Sequence, residues 1–275
     1  MAESKSFFMT GCASGIGKHL ADVLIARGDR VFATDINIEA LEAHAKEKNW
    51  PADRVHTSKL NVCDPEEWKR VFAEAVQAFG HLDVVMNIAG ILKSSWVQDT
   101  PIKDVEMQVD INVKGVIYGT QEAARHMIPR KAGHIINIAS MAGMAPIPGL
   151  AVYSGSKYAV RGFTMAAAGE LRRYNIAVTA VCPDGVNTPL LDLPVENEAA
   201  DLIWSGSRLL TVQDIEKLVL GRVLAKKPVV AALPWTRAIQ ARLGDLFPSV
   251  GFGLVASLAK KGHQKRQQQK MREQH

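Results

Sequence analysis

Along this chain, short runs of β-branched and aromatic residues alternate with longer stretches in which apolar positions recur every three or four residues. The short runs predict strands over residues 6–9, 30–34, 55–60, 84–88, 134–139, 177–182 and, after a long break, 229–233. The longer stretches predict helices over 17–27, 38–48, 66–79, 103–129 and 151–174. Strands that read as nearly unbroken apolar runs between helices belong to a parallel sheet covered on both faces. Right-handed crossovers then wind the helices onto alternate faces of one open sheet, which makes the expected fold α/β and doubly wound, with about seven strands in a single domain.

Two segments depart from this rhythm. Residues 189–208 have no strand character and mix Leu190, Leu191, Leu193 and Trp204 with acids, the make-up of a functional loop. Thr211, with Asp214 three residues on, then opens a further helix through a variant of the capping box. The fifth helix carries Ala159, Val160, Phe163, Met165, Ala166, Ala167 and Leu171, an apolar surface too broad for one sheet contact, so a second subunit is expected against it. Residues 1–236 read as the single α/β domain, with the functional loop at 189–210, and residues 237–275 as a C-terminal extension.

Composition narrows the class. At 47% hydrophobic and 22% charged residues the chain is an ordinary globular protein and not a disordered or fibrous one. Its formal charge of +5 is localised: Lys260, Lys261, Lys265, Arg266, Lys270 and Arg272 face only Glu273 in the last sixteen residues, and the rest of the chain is neutral. A neutral body excludes a nucleic-acid docking face, and the basic tail reads as a solvated, frayed end from Gln264, with attraction to an anionic surface as the alternative. Cys12, Cys63 and Cys182 are odd in number and lack a C-x-x-C pair, so neither a disulfide framework nor a metal site is expected, and a reducing, cytoplasmic setting fits. Residues 5–10 read as a strand and run straight into a glycine-rich turn, so no signal peptide is expected. The uncharged run 246–259 is shorter than the roughly 20 residues of a membrane span.

Two clusters carry chemistry. Thr10-Gly11-Cys12-Ala13-Ser14-Gly15-Ile16-Gly17 joins the first strand to the first helix. Glycines there let the backbone turn sharply and approach a pyrophosphate, whose charge meets free N–H groups and the positive end of the helix dipole. A plain strand-to-helix turn would show similar glycines, so the assignment needs a partner for the adenosine half. Asp35 ends the second strand, where a carboxylate can accept both ribose hydroxyls of an adenosine and repel a 2′-phosphate, which favours NAD over NADP. An exposed acid closing a strand is the bland alternative.

The second cluster is Tyr153 and Lys157, one helical turn apart and therefore on one face. A phenol titrates near pH 10, so its use as a base near neutrality needs a cation beside its anion. Lys157 can supply one, since two unit charges 4 Å apart attract by roughly 4 kcal/mol at an effective dielectric of about 20. Ser140, ending the fifth strand, and Asn112, within the fourth helix, can reach the same edge of the sheet.

With these residues in order the sequence resembles the classical short-chain dehydrogenase/reductases over about residues 5–235. The likeness rests on Thr10–Gly17, Asn87-Ile88-Ala89-Gly90, Asn112-Val113-Lys114-Gly115, Ser140, Tyr153 with Lys157, and the segment from Pro183 to Thr188. It implies a Rossmann-like sheet and a reaction in which Tyr153 exchanges a proton with the substrate oxygen while the nicotinamide exchanges a hydride with its carbon. It further implies that Ser140 hydrogen-bonds that oxygen, that Lys157 holds the nicotinamide ribose and acidifies Tyr153, and that Asn112 places a water linking Lys157 to solvent. The cofactor residues it implies are Gly11, Ser14, Gly15, Ile16, Gly17, Asp35, Asn61, Val62, Asn87, Ala89, Gly90, Tyr153, Lys157, Pro183, Gly185, Val186 and Thr188. Two positions depart from the family pattern: Asn61 stands where an acid is usual, and Asp184 is inserted into the usual Pro-Gly.

The segment after Ser140 lines the pocket in this family. Ala142, Met144, Ile147, Leu150 and Val152, with Tyr153, Leu190, Leu191 and Trp204, predict an apolar site without a cluster of Arg or Lys for a carboxylate or phosphate. The expected substrate is a hydrophobic secondary alcohol or its ketone, steroid-, terpenoid- or lipid-like, handled by a homodimer or homotetramer. Two rival readings are an NADPH-dependent ketone or acyl-chain reductase and a dinucleotide-binding regulator without turnover. His81, His126 and His134 are expected in surface or capping roles. Phe247, Val250, Phe252, Leu254, Val255 and Leu258 beside the basic tail offer two readings, a peripheral membrane anchor and the favoured cover or subunit contact.

Overall fold

The computed structural model describes residues 4–192 and 198–273. Its seven strands, β1 Ser6–Thr10, β2 Arg30–Asp35, β3 Val55–Lys59, β4 Val84–Asn87, β5 Gly133–Ile138, β6 Ile176–Pro183 and β7 Val230–Leu233, form one parallel sheet in the order β3-β2-β1-β4-β5-β6-β7. Each lies within a residue of its predicted ends. The order reverses between β1 and β4, and the carboxyl ends of those two strands open the crevice where doubly wound sheets bind ligands.

The helices are α1 Gly15–Ala26, α2 Ile38–Glu47, α3 Pro65–Phe79, α4 Ile102–Val109, α5 Gly115–Met127, α6 Ala151–Leu171, α7 Val212–Leu218, α8 Leu224–Lys226, α9 Trp235–Leu246 and α10 Pro248–Glu273. Residues of β1 point alternately to the two faces. Phe7 and Met9 pack with Leu20 and Leu24 of α1 and Ile215 of α7, whereas Phe8 packs with Trp68 and Phe72 of α3, Met127 of α5 and Leu171 of α6. Phe8 lies 5.2 Å from the Phe72 ring and 5.7 Å from the Phe32 ring, so Phe8→Ala would open a cavity costing about 3–5 kcal/mol. α3 starts where Asp64 accepts from the N–H groups of Glu66 and Glu67 with Pro65 in the first turn, and it stops at Gly80.

The structure departs from the predicted elements in two places. The predicted helix 103–129 is interrupted by a π-turn, Asp110–Lys114, between α4 and α5. The basic end, expected to be frayed and solvated, continues α10 to Glu273. α10 packs along the 3₁₀ segment Glu198–Ser205 of the predicted substrate loop, so closely that a Cβ on Gly262 would stand 2.0 Å from the Asp201 carbonyl oxygen. Arg266 is 2% exposed, donates to Asp201 Oδ1 at 3.0 Å and lies 4.6 Å from the Trp204 ring centre, while His263 Nδ1 is 2.9 Å from Asp201 Oδ2. A buried acid across the gap, invisible at the level of local composition, turns this part of a basic tail into an interior contact. Leu193 of the loop lies outside the described residues, as do the side chains of Val250, Phe252, Leu254 and Val255.

Candidate active site

The turn after β1 is shaped by close approach. Gly11 has φ +72°, and a Cβ there would stand 2.9 Å from Ala89 Cα; a Cβ on Gly17 would stand 2.0 Å from the Gly11 carbonyl oxygen. Thr10 Oγ1 accepts from the N–H groups of Ile88 at 3.0 Å and Ala89 at 3.1 Å, which holds this turn against the end of β4. Ser14 precedes α1 in extended conformation without a side-chain cap, and the first turn of α1 contains no acid, so its orphan N–H groups are left to an anion. At the end of β2, Asp35 accepts from Ala13 N–H and Asn37 N–H, each at 2.9 Å, which fixes the carboxylate beside the turn.

These groups open into one cleft of about 630 Å³. Of the expected cofactor residues, Gly11, Ser14, Gly15, Ile16, Gly17, Asp35, Asn61, Val62, Ala89, Gly90, Pro183, Gly185, Val186 and Thr188 line it. Asn87 does not: it is buried behind the wall, donating to Asn137 Oδ1 at 2.8 Å. Asn61 Oδ1 is occupied by the N–H of Cys63 at 3.1 Å, so its amide NH₂ is what it can offer to a base. The glycine cradle, the uncapped helix terminus and the fixed carboxylate at the switch point fit a dinucleotide.

Ser140, Tyr153 and Lys157 line the same cleft. Ser140 Oγ accepts from Ala142 N–H at 3.1 Å, which leaves its own proton to donate to Tyr153, with which it is hydrogen-bonded. Lys157 Nζ donates to the Ile138 carbonyl at 3.0 Å and lies 5.7 Å from the Tyr153 ring centre. Asn112 is carried inward by the π-turn and does not line the cleft; its Oδ1 accepts from Ile91 N–H at 2.8 Å, and its Nδ2 donates to Ile91 O at 2.9 Å and Ser156 Oγ at 3.1 Å. A Cβ on Gly90 would stand 3.2 Å from Asn112 Oδ1 and 3.4 Å from Lys157 Nζ, so the three positions form one compact corner.

Burial governs the titration of the pair. It pushes the Tyr153 hydroxyl up to about 12, partly offset by the Ser140 hydrogen bond, and it lowers Lys157 to about 8. Desolvation of the phenolate is the largest influence on Tyr153, and the Lys157 ammonium donates to a backbone carbonyl.

The apolar half of the cleft includes the predicted Ala142, Ile147, Leu150, Leu190 and Leu191. Met144 and Trp204 lie outside it, the first in the core with Val160 and Ala238, the second beneath Arg266; Val152 does not reach it either. Reasoning from the sequence missed Leu92 and also Arg237, Gln240 and Ala241 of α9; Leu202 and Ile203 lie in the expected substrate loop without having been singled out, and Leu258 of α10, expected in a cover or subunit contact, lines the cleft. The extra Asp184 gave the one available signal: Arg237 Nε lies 2.8 Å from its Oδ2, so the inserted acid holds α9 over the cleft. His134, expected at the surface or in a cap, is buried, with Nε2 2.8 Å from Thr179 Oγ1.

A doubly wound parallel sheet with a glycine cradle fit for a dinucleotide, and with a tyrosine and a lysine in the same cleft at its switch point, defines a class, the nicotinamide-dependent oxidoreductases. The family model for short chain dehydrogenases matches residues 5–199. The chain is 36% identical over 190 residues to 3-oxoacyl-[acyl-carrier-protein] reductase FabG of Thermotoga maritima, covering 69% of this chain and 77% of that protein. It is 35% identical over 192 residues to 2-(R)-hydroxypropyl-CoM dehydrogenase of Xanthobacter autotrophicus, covering 68% and 76%. A short-chain dehydrogenase/reductase of Burkholderia phymatum in complex with NAD superposes with a TM-score of 0.81 over 90% of this chain and 95% of that one; at 21% identity it shows the fold. ElxO with NADP bound superposes with a TM-score of 0.75 at 25% identity, over 84% and 97%. The chain belongs to the short-chain dehydrogenase family and is an NAD(P)-dependent oxidoreductase.

Proposed function

We propose that this enzyme interconverts a hydrophobic secondary alcohol and its ketone with NAD, with Tyr153 as general acid and base. The observation that carries the reading is that Tyr153 and Lys157 share one cleft with the glycine cradle and with an apolar wall of Leu92, Ile147, Leu150, Leu191 and Ile203. A steroid-, terpenoid- or lipid-like body suits that wall. The names of the two curated relatives, an oxoacyl reductase and a hydroxypropyl dehydrogenase, support a carbonyl–hydroxyl couple. Asp35 supports NAD: its carboxylate is fixed by two N–H groups, and among the described residues the cations lining the cleft are Lys157, on the far side with Tyr153, and Arg237, paired with Asp184. The rival NADPH-dependent reductase has the oxoacyl-reductase relative and the NADP-bound neighbour on its side and is separated by a cofactor titration.

A bound nicotinamide supplies the hydride acceptor for oxidation and the donor for reduction. Ser140 holds the substrate oxygen, and Tyr153 Oη takes its proton during oxidation and returns it during reduction. The Lys157 ammonium, charged below pH about 8, stabilises the phenolate as it forms. Asn112 positions: by clamping both backbone polar groups of Ile91 and tying them to Ser156, it keeps the Gly90 corner open beside Lys157. Residues 237–275 act in this reading as a cover contributing Gln240, Ala241 and Leu258 to the pocket, and the protein works as a cytoplasmic homodimer or homotetramer, for which α6 keeps Met165 exposed.

The test is a screen of hydrophobic secondary alcohols with NAD, following reduced cofactor by its absorbance. Turnover that disappears in Tyr153→Phe while NADH still binds supports the proposal. Turnover that survives the substitution, or is absent with every secondary alcohol and ketone in either direction, overturns it.

A further inference from the structure

We infer that the outer face of α9 docks this protein on an anionic lipid surface. α9 has two faces with different surroundings. Its inner side is held by Arg237 on Asp184 and by Asp245, which accepts from the Tyr158 hydroxyl at 2.7 Å, and it brings Arg237, Gln240 and Ala241 to the cleft. Its outer side carries Trp235, Ile239, Leu243 and Leu246, and at 3.6 residues per turn these four fall within an arc of about 80°. Phe247 follows at the C-cap. All five are between 51% and 70% exposed, a contiguous apolar stripe on one short helix, where isolated exposed apolar residues would need no account.

Charge identifies the occupant. From Trp235 to Glu273 the sequence holds eight lysines and arginines against Asp245 and Glu273; Arg237 is paired with Asp184 and Arg266 with Asp201, which leaves six. Arg242 flanks the stripe on the same helix and is exposed, as are Lys260 and Lys261 of α10, which packs against α9. A second copy meeting this face would bring two cationic regions together, whereas an anionic bilayer complements them. An aromatic and aliphatic face beside a basic flank supplies the two signals that stable interfacial binding needs, and tryptophan favours that depth. The contact is peripheral, because none of the described helices is long and apolar enough to cross a membrane. It would set the cleft, walled on one side by α9 and α10, against the phase in which an apolar substrate is concentrated, but binding itself needs no turnover and stands apart from the catalytic reading.

The experiment is flotation of the full-length protein with phosphatidylcholine vesicles, with and without phosphatidylserine, and light scattering of the same samples. The expected result is flotation only with phosphatidylserine, lost in high salt. Trp235→Gln and Phe247→Gln are each expected to weaken partitioning by about tenfold. Lys260→Glu with Lys261→Glu is expected to weaken it by a similar factor. These side chains are exposed, so an unchanged thermal midpoint shows that folding is not the cause. Absence of flotation, equal flotation with both vesicle types, or flotation indifferent to Trp235→Gln and Phe247→Gln overturns the proposal. If these last two variants instead turn an oligomer into a monomer without any vesicle binding, the occupant is a second copy.

Discussion

Lys157 Nζ stands 5.7 Å from the centre of the Tyr153 ring and donates to the carbonyl of Ile138, so the lysine is anchored beside the phenol and not bonded to it. The hydroxyl is pushed up to about 12 by burial, and the Ser140 hydrogen bond opposes that rise. In the proposed reaction alcohol oxidation uses the phenol as a base, so its rate is expected to climb with pH as the tyrosine loses its proton. Ser140→Ala removes the group that favours the phenolate. The expected outcome is a kcat/KM profile for oxidation whose rise moves to higher pH, with kcat about 10²-fold lower at neutral pH. Tyr153→Phe is expected to lose about 10²–10⁴-fold with no profile left to shift.

Asp35 is set by two backbone N–H groups, and the ribose hydroxyls would be its remaining partners. A charge-assisted hydrogen bond contributes about 1.5–3 kcal/mol. Asp35→Ala is therefore expected to raise the Kd for NADH by about 10–100-fold, while NADPH, freed of the repulsion, binds better than before. Fluorescence titration with both cofactors reads the change, and an unaltered preference would remove Asp35 as its cause.

Arg266 and Asp201 are joined at 3.0 Å in a buried contact between α10 and the loop that carries Leu202 and Ile203 into the cleft. Removing the guanidinium leaves a buried carboxylate without its main cation, which costs about 3–5 kcal/mol, more than removing both charges. Arg266→Met is expected to lower the urea midpoint and to raise KM for apolar substrates more than it lowers kcat. Pairing it with Asp201→Asn is expected to restore much of the stability.

His134 predicts an acid sensitivity. Thr179 donates its hydroxyl proton to the Pro228 carbonyl at 2.6 Å, so the histidine Nε2 must be the donor in their contact, and the buried Nδ1 has no hydrogen-bond partner in the described structure. Burial lowers its pKa to about 3. Between about pH 6.5 and 3 the unfolded chain therefore takes up a proton that the folded one refuses, and stability falls as pH falls. His134→Leu is expected to change little at pH 7.5 and to be more stable than the parent at pH 4.5 by about 2–3 kcal/mol in urea unfolding. Equal sensitivity of both proteins would rule out this histidine as the source.

The sheet and the cradle were legible because their determinants are local. Alternating apolar runs mark each strand within a residue, and Gly11, Gly17, Asp35, Tyr153 and Lys157 sit at spacings that a strand, a turn or a helix converts directly into one edge. The sequence by itself thus determined the α/β order and the residues brought to the switch point. Tertiary structure alone decided what depends on distance across the fold. It turned the π-turn of Asn112 inward and put Met144 and Asn87 behind the wall. It drew Arg237 onto Asp184 and folded a basic end onto Asp201. It also set the titration of Tyr153, because a pKa depends on the solvent a group has lost, and no spacing along the chain records which atoms from remote segments will exclude that water.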